Sequence, residues 1–413
     1  MEGAAGVHGH RYADESLLDD EKQMLDNDPG GMLRATASAG AQVRESAALA
    51  AEADLSGLAD EGRPRAVVVA GIGTAGLTGN ILATVAGHRC PVPIIGHRSS
   101  ALPGWVGAAD VVIAVSASGR SPEALAAADA AARRGARLVA IGNPDSELQA
   151  MAERARAPFI PVPRRAPARA SLWGLTVPVL LAARSLGLVK VNEADLAETA
   201  SRLDADAERC RPGAESFVNP AKALALGLAG SVPVIWGSSP LATVAARRFA
   251  DTLAANARYP VMAGALGEAG RGRVGLLDGV FGGLAESSRD IFADPDSEDE
   301  TAPTRLRLVL LRDGGLNPEE DADEPVAVEE RRADAVQTLA DRRGVRCDVV
   351  VAEGGSAVER LASLVAMPDF ASLYLALAHG LDPMAVPAIN EMKELSNAIT
   401  GNPVPGNPMA EGM

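Results

Sequence analysis

Two stretches each join a β-branched apolar run to a turn of small residues and then to a helix-like segment. They are Val67-Val-Val-Ala-Gly-Ile-Gly-Thr-Ala-Gly76 and Val111-Val-Ile-Ala-Val-Ser-Ala-Ser-Gly-Arg-Ser-Pro-Glu123. A short continuous apolar run of this kind reads as a strand buried on both faces, the mark of a parallel sheet covered by helices. The free N–H groups and dipole of a helix start attract an anion. Gly73 and Thr74 lie at the first such turn, and Ser116, Ser118 and Ser121 add hydroxyls at the second. The pattern therefore points to a phosphate carried on a small molecule.

Strand and helix signals alternate along the rest of the chain. In the first half the strand expectations are Ala66–Gly71, Val92–Gly96, Val111–Ser116, Arg137–Ile141 and Phe159–Val162. Helices are expected between them, at Leu77–Ala86, Pro122–Arg134 and Glu147–Arg154. That alternation predicts an α/β fold with a doubly wound parallel sheet. Ser171–Leu186 reads as an apolar helix buried between domains or at a dimer contact, since it is short and interrupted by Pro178. A second alternation follows. Its strands are Val232–Gly237, Tyr259–Gly264, Leu306–Leu311 and Cys347–Val351, and its helices Leu241–Ala255, Pro325–Arg342, Ser356–Met367 and Phe370–Leu381. Ala66–Ala86 and Val232–Ala255 share the order strand, small-residue turn, Ala-rich helix, which hints at duplication of one unit. The expected organisation is a tail and N-terminal helices over 1–60, one domain over 61–200, a second over 201–400 and a C-terminal tail over 401–413. An acidic insertion falls near 286–304.

The 413 residues carry a net charge of −15, which argues against nucleic acid or an anionic membrane as partner. Cys90, Cys210 and Cys347 are widely spaced, and His8, His10, His88, His97 and His379 have no zinc-type spacing. No metal or other cofactor is implied. A signal pattern and an uninterrupted membrane-length apolar run are both missing, so the expected location is the cytoplasm.

Gly71-Ile-Gly-Thr-Ala-Gly76 matches half of a dinucleotide fingerprint. That fingerprint also needs an acidic residue closing the second strand, where Ile95-Gly-His-Arg98 stands instead. A nucleotide-dependent oxidoreductase is therefore disfavoured. Ser116-Ala-Ser-Gly-Arg-Ser121 sits between a buried strand and a Pro-Glu helix start. Simple capping by Ser121 is the plainer reading, and an anion cradle the functional one; the two are compatible.

The two loops taken in order resemble the sugar isomerase (SIS) fold, in which the second loop holds a sugar phosphate. Further segments narrow the resemblance. Arg98 with Ala101-Leu-Pro-Gly-Trp105, Ala168-Arg-Ala-Ser-Leu172, Leu253-Ala-Ala-Asn-Ala-Arg-Tyr-Pro260, and Tyr374–Pro383 followed by Ala388-Ile-Asn-Glu-Met-Lys393 all resemble segments of the bifunctional phosphoglucose/phosphomannose isomerases. Together they cover most of residues 60 to 395. The resemblance implies two SIS-type αβα sandwiches, a homodimer, and interconversion of glucose 6-phosphate or mannose 6-phosphate with fructose 6-phosphate through an enediol. It further implies phosphate binding by Gly73, Thr74, Ser116, Ser118 and Ser121. Arg169 would steady developing negative charge, and Lys393 would act on the ring oxygen or the phosphate.

The chain departs from the family pattern at the base. Ala255 stands where the family carries its Glu, Arg271 aligns with a family His, Met384 follows Asp-Pro in place of Thr, and Ala75 replaces a Ser. A general base commonly contributes about 10²–10⁴-fold. Glu268, Glu123 and Glu391 are substitute carboxylates, and His379 a candidate for ring opening. The alternative expectation is a phosphosugar-binding protein that has lost catalysis.

Overall fold

The computed structural model describes residues 12–60, 62–287, 304–314 and 325–400. Among these, nine strands form two parallel sheets. The first sheet contains β1 (Val67–Ala70), β2 (Ile94–His97), β3 (Val111–Ser116), β4 (Arg137–Gly142) and β5 (Phe159–Pro161). Its order is β2-β1-β3-β4-β5, with Val67 level with Ile94 on one side and Val111 on the other. Every residue of β1 and β3 is buried. Each Val or Ile buried this way contributes about 1.5–3 kcal/mol, so these two strands anchor the sheet.

The second sheet contains β6 (Ser231–Gly237), β7 (Met262–Ala265), β8 (Arg305–Arg312) and β9 (Arg346–Val351), in the order β7-β6-β8-β9. It repeats the winding of the first four strands. The two stretches that rhyme in sequence occupy equivalent places, the first strand of each sheet and the helix after it, Thr74–Ala86 or Pro240–Thr252. The fold is α/β with two doubly wound sheets, as the sequence predicts.

Two helical expectations need correction. The sequence predicts separate helices over Ser356–Met367 and Phe370–Leu381, but one helix runs from Ala357 to Ala378 straight through Pro368. Proline removes one N–H and disfavours the preceding residue's helical state. Burial of most of this helix against its neighbours outweighs that cost, because tertiary packing contributes more than local propensity. Its length and composition would allow a membrane span, yet 89% of its apolar window is buried inside the protein. The predicted helix Leu241–Ala255 stops as an α-helix at Thr252 and ends in a π-helical turn, Leu253–Ala257. Arg258 then adopts left-handed backbone, φ +57°, and β7 starts only at Met262.

The apolar helix Leu172–Ser185 is buried throughout Leu172–Ala183 and packs on the helices Ala39–Glu52 and Thr74–Ala86, inside the first half. A single hydrophobic cluster joins Ile113, Ile141 and Leu180 to Phe249, Val309 and Tyr374, so the sheets share one core. The predicted tails at 1–11 and 401–413, and most of the acidic stretch 286–304, lie outside the described residues.

Candidate active site

The chain leaves β1 toward β2 on one side and β3 lies on the other, so the strand order reverses between β1 and β3. Ligands of open α/β sheets bind at such a switch point, beyond the C-terminal strand ends. Both predicted loops arrive there. Gly73 precedes the helix Thr74–Ala86 with φ +59°, a backbone region that favours glycine. Thr74 is the first helical residue and is half-buried. Arg98, at the end of β2, donates to Gly76 O at 3.1 Å and to Asn80 Oδ1 at 2.8 Å. That contact sets an exposed cation beside the same helix turn.

Ser116 ends β3 and is fully buried. Its Oγ lies 2.8 Å from Ser121 Oγ and 3.5 Å from Ser118 Oγ, and accepts from Ser121 N at 3.3 Å. The structure thus gathers all three predicted hydroxyls. Ser121 is the N-cap residue of the helix Pro122–Arg133, but its side chain makes no capping bond. The hydroxyl faces Ser116 instead, and Ser118 is exposed. The simple capping role expected of Ser121 is not taken up by its side chain. This leaves a hydroxyl cluster beside an uncapped helix start, an arrangement suited to an oxyanion.

Arg169 lies on a short 3₁₀ turn, Ala168–Ala170, after β5. Its Nη1 donates to Ala255 O at 3.0 Å, Pro383 O at 2.9 Å and Asn256 Oδ1 at 3.3 Å, and its Nη2 to Met384 O at 3.4 Å. The side chain therefore ties the first half to the π-helical turn and to the loop before the last helix. Burial, then the nearby charge of Arg258, push the pKa of its guanidinium down, while Asp382 pulls it up. The main chain of Arg169 is held too. Arg248 Nη2 donates to Arg169 O at 2.6 Å, and Arg248 pairs with Asp369 through Nε and Nη2, each at 2.9 Å. Both partners of that pair lie on helices of the second half. A cleft of about 570 Å³ opens beside the Arg169 loop, lined by Gly30, Arg34, Gln42, Arg165 and Ser171 among others.

The other candidates are scattered. Ala255 does touch Arg169, but through its carbonyl, and it offers only a methyl group. Glu268 is exposed on a short helix that packs toward the helix Pro325–Arg342, away from Arg169. Glu123 is in the first turn of the helix after the Ser116 loop, and Glu391 is exposed on the helix Pro387–Thr400. Lys393 lies on that last helix, with its side chain outside the described residues. His379 is buried, its ring 6.0 Å from that of Tyr259.

Sequence reasoning misses Asp382 and Arg258. Arg258 Nη2 donates to Asp382 O at 2.9 Å and also to Ala385 O. The sequence signal was present in the Asp-Pro step and in the Arg of Asn-Ala-Arg-x-Pro, but only the fold brings the two beside Arg169.

Residues 217–395 match the family of the bacterial phospho-glucose isomerase C-terminal SIS domain. The chain is 27% identical over 332 residues to the bifunctional phosphoglucose/phosphomannose isomerase of Caldicellulosiruptor bescii, covering 79% of this chain and 88% of that one. It is 24% identical over 331 residues to the protein of the same name from Aquifex aeolicus, covering 80% and 90%. Among solved structures, a glucose-6-phosphate isomerase from Chlamydia trachomatis has the same fold, with TM-score 0.66, 14% identity, and coverage of 94% of this chain and 85% of the other. At 24–27% identity, the chain is similar to the SIS-fold bifunctional phosphoglucose/phosphomannose isomerases, as a divergent member of that family would be.

Proposed function

We propose that this protein is a phosphosugar aldose–ketose isomerase that interconverts glucose 6-phosphate or mannose 6-phosphate with fructose 6-phosphate. The observation that carries the reading is the convergence of Gly73, Thr74 and the Ser116–Ser118–Ser121 hydroxyl cluster at the switch point of the first sheet. In this reading those groups hold the phosphate, and Arg169 and Lys393 support charge on the sugar. The sugar moiety extends toward the Arg169 side of the same sheet edge. The working unit is a homodimer in the cytoplasm, and the sugar phosphate is the small-molecule partner.

One observation favours a second reading. Ala255 places a methyl group where the relatives' pattern has a carboxylate, so the protein would bind a phosphosugar as a regulator without turning it over. A coupled assay started from fructose 6-phosphate separates the two. The isomerase reading expects glucose 6-phosphate or mannose 6-phosphate to form. Absence of turnover with a ligand-dependent rise in Tm selects the binding role. Absence of both would overturn the phosphosugar reading altogether.

A further inference from the structure

We propose that Asp382 supplies the acid–base carboxylate of this site, an inference that rests on the isomerase reading above. Isomerisation of an open-chain hexose phosphate needs a group that takes a proton at one carbon and returns it at the next. Arg169 fixes where that chemistry can occur. A single nitrogen of its guanidinium donates to both Ala255 O and Pro383 O, at 3.0 and 2.9 Å, so the π-helical turn and the Asp382-Pro383 step are adjacent. Asp382 therefore lies on a backbone segment that Arg169 ties to the turn carrying Ala255. Of the substitute carboxylates named from sequence, none has a bond to Arg169 among the described residues. The charge of Asp382 pulls the pKa of the Arg169 guanidinium up, against burial and the charge of Arg258, which push it down.

The surroundings suit a working group. Asp382 is half-buried, and its Oδ1 accepts from Met384 N at 2.7 Å. Its second oxygen has no hydrogen-bond donor among the described residues, which leaves it for substrate. Two guanidiniums flank it. Arg169 bonds the carbonyls of Pro383 and Met384, and Arg258 bonds that of Asp382 itself. Arg258 is held in left-handed backbone at φ +57°, which costs about 1–2 kcal/mol for a residue with a Cβ. Its Nε and Nη1 are buried without a partner, a further cost. Strain and unpaired donors of this kind gather at functional sites. The π-helical turn that delivers Arg258 is another such mark. Asp28 completes the cluster. It is buried, caps the turn at Met32 and Leu33 with two bonds of 2.8 Å, and feels the charge of Asp382.

The step balances without a co-reactant. The carboxylate of Asp382 removes the C2 proton of the open-chain aldose. The C2–H electron pair becomes the C1=C2 bond, the C1=O π pair moves onto oxygen, and that oxygen takes a proton from water. In the second half-step the O2–H proton passes to water as C2=O forms, and the C1=C2 pair takes the proton back from Asp382 to make the new C1–H bond. Arg169 lies beside the enediolate oxygens as their charge develops.

The test follows turnover and exchange together. Full-length protein is incubated with fructose 6-phosphate in D₂O, and deuterium at C1 and C2 is read by NMR alongside the coupled assay. Wild type should turn over and exchange. Asp382→Asn should lose at least about 100-fold of both, while fructose 6-phosphate still raises its Tm. Asp382→Glu should restore part of the rate. An Asp382→Asn variant that keeps turnover within threefold of wild type would overturn the assignment. So would a variant that loses the ligand-induced Tm rise and is not rescued by Glu, which marks a structural carboxylate that only braces Met384. If wild type itself neither turns over nor exchanges, the isomerase reading falls and takes this role with it.

Discussion

At the C-terminal edge of the first sheet, β1 and β3 release Gly73 and Ser116 into an open cluster of hydroxyls. At the same place in the second sheet, β6 and β8 release Ser238, Ser239 and Asp313, and the cluster is closed from within. Ser239 Oγ donates to Asp313 Oδ2 at 2.7 Å, Arg360 Nε donates to Asp313 Oδ1 at 2.7 Å, and Asp313 N donates to Ser238 Oγ at 3.0 Å. Ser238 Oγ in turn donates to Glu330 at 2.6 Å, and Glu330 pairs with Arg312 at 2.7 Å. A side-chain carboxylate thus sits at the edge equivalent to the one where the proposed function puts a ligand's anion. One topology leaves an open hydroxyl cluster in one copy and a cluster closed by Asp313 and Glu330 in the other, and the proposed function takes the open one as the binding edge.

The sharpest way to break that contrast is to remove the seal. Asp313→Ala leaves the Arg360 cation and the Ser239 hydroxyl without their partner, and should lower the unfolding free energy in urea by about 3 kcal/mol. Inorganic phosphate should then raise the Tm of this variant by more than it raises that of wild type, because a second anion site has opened. An equal rise in both would mean that the seal occupies no latent site. On the open edge, Ser116→Ala combined with Ser121→Ala should weaken fructose 6-phosphate binding by about 10–100-fold by calorimetry, the worth of one or two hydrogen bonds to a charged group. Unchanged affinity would show that the hydroxyls face no ligand.

Two glycines give the smallest and most local comparison. Gly314 follows the seal at φ +55°, and a Cβ there would meet Val351 Cγ1 at 3.0 Å. Gly73 has a similar φ but open space around the position a Cβ would take. Gly314→Ala should therefore cost about 2 kcal/mol or more, and Gly73→Ala about 1 kcal/mol from backbone strain alone. Equal costs from denaturant midpoints would remove the crowding argument.

The strands and loops were legible because their signals are local. A run such as Val111–Val115, short, mostly β-branched and bounded by turn residues, reads as a buried strand, and the serines that follow it announce a turn near a helix start. What escaped the sequence depends on distant segments meeting. Pro368 reads as a helix break until its helix is seen wrapped by packed neighbours on most sides. Leu253–Ala257 carries no pattern that separates a π-helical turn from the end of an α-helix. Asp382 reads as part of an Asp-Pro loop until Arg169, more than two hundred positions earlier, is found bonded to the next two carbonyls. Asp313 likewise gives no sign in sequence that it answers Arg360.

The core that joins Ile113 to Val309 governs how the molecule comes apart. Neither sheet can melt without presenting the apolar surface of the other to water, so heating should give one cooperative endotherm rather than two. A gene cut between the halves would then yield fragments that need co-expression to stay in solution.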